Sequence, residues 1–190
     1  MKKRAILGII VSAVIYLLLF VLGSTTGLIH PACYAYVGTL MPVLFAFIYL
    51  YTASNMRFFG AACALNGFAL IIACIAGEGN VPFVVMMLGL TIAAEVLRAI
   101  FKYDTLRGVI WSFIPFAFSF YSYTIHWWTD SADSLAEAVE IMPEGYAEKM
   151  EMVINNTPGL VIALILVIPV AFGGMKLAQK VMKRSAARLA

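Results

Sequence analysis

Six long apolar runs separated by short polar breaks dominate the chain, at about residues 5–22, 35–52, 58–76, 82–101, 108–128 and 159–182. Each approaches the ~20 residues a helix needs to cross a bilayer. The breaks carry turn residues and charge: Gly23 to Pro31, Ser54 to Arg57, Gly77 to Pro82, and Lys102 to Arg107. In hydrocarbon only helices or a closed barrel satisfy every backbone group. A barrel would alternate apolar and polar positions over segments of about 10 residues. These runs are continuously apolar, so the pattern predicts an all-α, polytopic membrane protein of six transmembrane helices in one integral domain over residues 1–190. Lys2-Lys3-Arg4 precedes the first run as in a signal peptide, but the run exceeds the 7–15 residues of a typical h-region and no A-x-A site follows. It reads as a retained first span.

One longer polar segment, 129–158, lies between spans 5 and 6. Leu135, Val139 and Met142 fall at i, i+4 and i+7 and predict a short amphipathic helix. Pro143 to Gly145 breaks it, and Tyr146, Met150 and Val153 predict a further turn or two. A loop of this length fits either a lid over a site or a solvated connector.

Composition supports the membrane reading: 63% of residues are hydrophobic and 12% charged, against roughly 25% charged in soluble domains. Charge then gives a direction. All of the 13 Lys and Arg except Lys149 fall in alternate segments, and all of the 10 carboxylates except Glu95 and Asp104 fall in the others. By the positive-inside rule both termini are cytoplasmic, and the 129–158 loop is extracellular. The net charge of +3 follows from topology and does not imply nucleic acid. Cys33, Cys63 and Cys74 have no zinc spacing, so no resident metal site is expected.

Candidate chemistry gathers at the predicted outer side. His30 and His126 lie there, each readable as an interfacial residue or as half of a converging pair. Tyr34, Tyr36, Tyr121, Tyr123, Trp127 and Trp128 crowd the same side. They fit a lipid-interface belt or the wall of an apolar, flat-ligand pocket. Asn80, Asn155 and Asn156 could supply its polar rim. Near the inner side, Glu95 and Arg98 lie at i, i+3 and fit an interfacial pair or a partner contact. Gly8 and Ser12 form a small-x-x-x-small step on span 1, and Gly173-Gly174 offers a second close-packing site. Pro42, Pro115 and Pro169 are expected to kink their spans. No rhomboid-like serine motif, H-E-x-x-H or Walker A sequence occurs, so an enzyme is not expected. The alternatives are a membrane-embedded enzyme, which needs polar groups converging at one depth, and a ligand-free assembly protein.

Several stretches point to a family: Gly89-Leu90-Thr91-Ile92-Ala93-Ala94-Glu95, the basic loop Lys102 to Gly108, Pro115, Glu144 to Glu148, Asn156-Thr157-Pro158-Gly159, and Gly173-Gly174 with a basic tail. Over about residues 4–184 the chain resembles the S components of energy-coupling factor (ECF) transporters, in particular the MptD (Trep_Strep) family. The resemblance implies a six-helix protein of the bacterial cell membrane. It captures a micronutrient (a vitamin, haem or a metal complex) outside and docks on a T component driven by two ATPase subunits. It implies that Gly8 and Ser12 face the T component, although alanines are usual there. It also places the ligand among the first loop, spans 4 to 6 and the 129–158 loop. Riboflavin, thiamine and biotin motifs are not found. Haem is one candidate ligand, with His30 or His126 as its iron ligand; no cofactor of the protein's own is expected.

Overall fold

A computed structural model describes residues 3–189; Lys2, counted among the inner charges, lies outside them. Helix α1 (Lys3–Ser24) continues through a 3-10 turn, Thr25–Leu28, into α2 (Pro31–Val37) and α3 (Met41–Asn55). Then come α4 (Ala61–Ile75), α5 (Val81–Ile100), α6 (Leu106–Ala117), α7 (Ser119–Thr124) and α8 (His126–Thr129). The polar segment forms α9 (Ser131–Ile141) and α10 (Tyr146–Asn155), before α11 (Thr157–Val181) and the short α12 (Lys183–Ala187). The described residues form helices joined by short turns, with no strand among them, as the apolar pattern requires.

Among the described residues, four stretches are long and apolar enough to cross a membrane: Ala5–Leu28, Pro31–Asn55, Val81–Ile100 and Thr157–Val181. The other two expected spans differ. Helix α4 has 15 residues, about 22 Å at 1.5 Å per residue, short of a bilayer core of about 30 Å. The stretch expected as one helix over 108–128 is divided into α6, α7 and α8. Pro115 has no N–H for the helical ladder. Just after it the register tightens to i→i−3, with Phe118 N donating to Pro115 O at 3.1 Å and Tyr121 N to Phe118 O at 2.9 Å. Pro42 begins α3 where a kink was expected. Pro169 sits within an unbroken α11.

Buried hydrogen bonds tie the helices where lipid offers no alternative partner. Asn66 on α4 is fully buried. It accepts from Tyr16 on α1 at 2.7 Å and donates to Thr91 on α5 and Ser119 on α7, both at 3.0 Å. Tyr49 on α3 donates to Ser112 on α6 at 2.8 Å. Around these bonds pack Tyr16, Phe45, Tyr49, Phe113, Phe116 and Phe120. At the α11–α3 crossing, a Cβ on Gly174 would lie 2.9 Å from Val43 Cα and 3.0 Å from the Pro42 carbonyl, whereas one on Gly173 would meet nothing within 4 Å. Gly174→Ala is therefore expected to cost about 1–3 kcal/mol by overpacking, and Gly173→Ala close to nothing. Thermal unfolding of the two purified variants measures the difference.

The charge pattern becomes two ends of one bundle. At the basic end, Leu106 N donates to Leu189 O at 2.8 Å and Arg188 donates to Asn55 at 2.7 Å. These bonds bring the C-terminal tail onto the α3 and α6 termini. At the acidic end, Tyr123 donates to Glu78 at 3.0 Å and Tyr146 donates to Gly27 O at 3.0 Å.

Glu95 and Arg98 lie at the basic end, and their role is architectural. Both are buried, and among the described residues no ion pair joins them. The Glu95 carboxylate accepts from Gly60 N at 3.0 Å and Ala62 N at 2.8 Å, capping the start of α4. Arg98 donates to the carbonyls of Ala53 at 2.8 Å, of Met56, and of Tyr103 at 3.1 Å, capping the end of α3. The expected side-chain pair is replaced by two helix caps because four backbone groups at each helix end need partners. Neither side chain is free to meet a docking subunit.

Candidate functional site

At the acidic end a cavity of about 220 Å³ opens beneath α9 and α10. Its walls include Tyr34 from α2, Tyr123 from α7, His126 and Trp127 from α8, and Glu78 from the α4–α5 turn. Its roof is Ser134, Glu137, Ala138 and Ile141 of α9, then Met142, and Tyr146 and Met150 of α10; the 3-10 turn closes one side at Gly27 and Leu28.

The roof is built on its own small apolar cluster. Tyr34, Ala35, Trp127, Ala138, Met150 and Val153 are buried together there, apart from the main core. The expected stripe on α10 holds, with Met150 and Val153 buried and Tyr146 half-buried. On α9 the buried face is rotated: Ser134 and Ala138 point inward and Val139 is 71% exposed. The small side chains let α9 lie close to α8, where Ser134 donates to the His126 carbonyl at 3.3 Å. Tyr146 pins α10 through its bond to Gly27. Burial pushes its hydroxyl pKa up, so it keeps the proton that it donates.

The aromatic walls meet at defined angles. Tyr34 and Trp127 rings are 4.6 Å apart at 41°, and Tyr34 and Tyr123 are 6.1 Å apart at 70°. The His126 Nδ1 lies 2.8 Å from the Tyr123 carbonyl. A carbonyl only accepts, so Nδ1 carries the proton of this bond and Nε2 is the ring nitrogen left for a ligand.

Of the nine residues expected to bind ligand, four line this cavity: Tyr34, Tyr123, His126 and Trp127. The other five have local structural partners or stand apart. His30 is exposed and caps α2, its Nδ1 accepting from Ala32 N at 3.1 Å, so the two histidines do not share the cavity. Asn80 caps α5 by accepting from Phe83 N at 2.9 Å. Tyr121 is buried against Thr39 at 2.7 Å, bracing α7 to the α2–α3 turn. Tyr36 receives a 3.4 Å bond from Asn156, the N-cap of α11, while Asn155 is exposed at the end of α10. The residues missed from sequence are Glu78, Glu137, Ser134 and Tyr146. The two carboxylates shared only the acidic bias of that end, which does not say which carboxylates face inward, and Tyr146 was legible as part of the α10 stripe but not as a cavity residue.

A second hollow, an open apolar groove of about 480 Å³, runs between α1 and α3. It contains the small-residue step, with Gly8 against Tyr51 and Ser12 donating back to Gly8 O at 2.8 Å.

Fold and cavity together define a multi-pass helical membrane protein with a roofed polar–aromatic pocket at its acidic end. The family model described as a hypothetical bacterial integral membrane protein (Trep_Strep) matches residues 3–188, and the chain belongs to that family. No curated protein and no solved structure matches it.

Proposed function

We propose that this protein is the ligand-capturing S component of an ECF-type importer. It takes a micronutrient at the outer face of a bacterial cell membrane and delivers it through a T component and two ATPase subunits. The observation carrying this reading is the roofed cavity at the acidic end of a bundle whose other end is basic. By the positive-inside rule that cavity faces outward and both termini face the cytoplasm. Helices α9 and α10 act as its lid: lifting them parts Ala138, Met150 and Val153 from Tyr34 and Trp127 and releases the Ser134 and Tyr146 bonds, while the main core stays packed. The apolar groove holding Gly8 and Ser12 is the docking face for the T component, because small residues let a partner helix approach closely.

The cavity is read as a binding site, with no catalytic step assigned to it. Ser24 and Ser134, the serines of the cavity, donate to the backbone carbonyls of Val21 and His126. The cavity favours a compact ligand, since its volume lies below the roughly 300–1,000 Å³ of drug-sized sites. Haem would require the lid to lift, and of its two candidate iron ligands only His126 lines the space.

The test is affinity purification of the tagged chain from its native membranes. The T component and both ATPases are expected to co-purify in stoichiometric amounts, and recovery of the chain alone would reject the importer role. Glu140→Cys, on exposed α9, is expected to react with a membrane-impermeant maleimide in intact cells. Protection of that thiol would put the cavity on the cytosolic face.

A further inference from the structure

Most of the cavity's polar groups face a ligand as proton acceptors; the Tyr34 hydroxyl and the Trp127 indole N–H are its two uncommitted side-chain donors. Every hydroxyl in it with a partner has already donated its hydrogen elsewhere: Ser24 to Val21 O at 2.8 Å, Ser134 to His126 O, Tyr123 to Glu78, and Tyr146 to Gly27 O. His126 spends its Nδ1 proton on the Tyr123 carbonyl. What these five side chains present to a ligand is lone pairs. Two carboxylates, Glu78 and Glu137, add full negative charge at the rim. Among the described residues no Lys or Arg lines the space. Lys149 is the one Lys or Arg between Arg107 and Lys176, and it is not part of the wall.

The apolar part of the wall has matching chemistry. Tyr34, Tyr123 and Trp127 form contiguous aromatic surfaces, with Tyr34 and Tyr123 making a corner at 70°. Aromatic faces attract cations through the ring quadrupole, most strongly where water is partly excluded. Tyr34 is 8% exposed and Trp127 is 6% exposed, so this corner is largely dry. An anion would meet carboxylates and lone pairs. A neutral ligand would leave the carboxylate charge unanswered. A bare metal ion needs several converging oxygen, nitrogen or sulfur ligands, and among the described residues no group of three His, Cys, Asp or Glu converges.

We infer that the cavity selects a small organic ammonium ion, its N–H donors directed to Glu78, Glu137 and the free acceptors, and its alkyl or ring portion held in the Tyr34–Tyr123–Trp127 corner. The inference takes from the importer reading only that the ligand is cargo; the preference itself rests on the lining.

The experiment uses the full-length protein in detergent micelles and four probes of similar shape: 3,3-dimethylbutylamine, choline, 3,3-dimethylbutanol and 3,3-dimethylbutanoate. Binding is read by intrinsic tryptophan fluorescence and by calorimetry at neutral pH. The primary ammonium is expected to bind most tightly, at least about ten-fold above the alcohol, and choline, which lacks N–H, to fall between them. The carboxylate is expected not to bind. Glu78→Gln/Glu137→Gln, with both positions exposed and the fold checked by circular dichroism, is expected to erase most of the ammonium preference. Equal binding of ammonium and alcohol, tighter binding of the carboxylate, no binding of any probe, or an unchanged preference in the double variant would each overturn the inference. If the ATPase partners co-purify while ammonium and alcohol bind equally, the importer reading stands and the ligand class falls. If ammonium preference appears without those partners, the site stands and the importer reading falls.

Discussion

Arg98→Ala is expected to lower the stability of the purified protein by about 3–5 kcal/mol, because buried backbone carbonyls left without a donor cost roughly 1–3 kcal/mol each. Arg98 is completely buried, and its guanidinium supplies hydrogens to three backbone carbonyls at the end of α3 and in the α5–α6 turn. Removing it orphans those carbonyls and leaves Glu95, one turn away on α5, as a buried carboxylate with no nearby cation. At the entropy typical of a chain this long, the thermal midpoint falls by roughly 6–20 °C. Glu95→Gln alone costs less, because the amide oxygen still accepts from Gly60 N or Ala62 N. The double variant Glu95→Gln/Arg98→Ala loses less than the sum, because the uncompensated charge is gone. Scanning fluorimetry of the four proteins measures the cycle. An Arg98→Ala midpoint within about 2 °C of wild type would show that water reaches the site and that the caps carry little weight.

Asn66→Leu is the second large effect, at about 2–4 kcal/mol for three interhelical bonds worth roughly 0.6–1.7 kcal/mol each. The more discriminating variant is Asn66→Asp. Thr91 already donates to Met87 O at 2.7 Å, and Ser119 already donates to Phe116 O at 2.6 Å. Both hydroxyls need a donor at position 66; an ionised aspartate has none, and a protonated one has a single O–H for the two. Asn66→Asp is therefore expected to be at least as damaging as Asn66→Leu despite its near-identical shape. Thr91→Ala removes one bond and should cost the least of the three. A stable Asn66→Asp with an unchanged midpoint would mean that the network does not join α1, α4, α5 and α7 as described.

Much of the fold was legible along the chain. Spans 1, 4 and 6, expected at 5–22, 82–101 and 159–182, lie within a few residues of α1, α5 and α11. The expected stripe on α10 holds as well. The 108–128 stretch was harder, because Pro115 is tolerated in some helices and divides others, depending on whether neighbours stabilise the tightened turn. Glu95 and Arg98 stood out as costly intramembrane charges, but their partners could not be read from i, i+3 spacing. The groups they cap lie 33 to 45 positions away, apart from the nearby Tyr103 carbonyl. Asn66 carried a signal that went unused: a lone amide inside an apolar run has to find partners. Four aromatic and histidine residues of the cavity were anticipated from their crowding, while His30, Asn80 and Tyr121 went to caps and braces.

The sequence by itself determined which stretches leave water, where they end and which end of the bundle is acidic. Transfer of apolar side chains and sorting of charge are summed over neighbouring residues, so a local window suffices to read them. The tertiary structure alone decided that Tyr123 meets Glu78 across 45 positions and that Tyr146 meets Gly27 across 119. Such meetings depend on how each helix is rotated and displaced against the others. Packing of whole faces sets those rotations, and no single stretch of chain contains them.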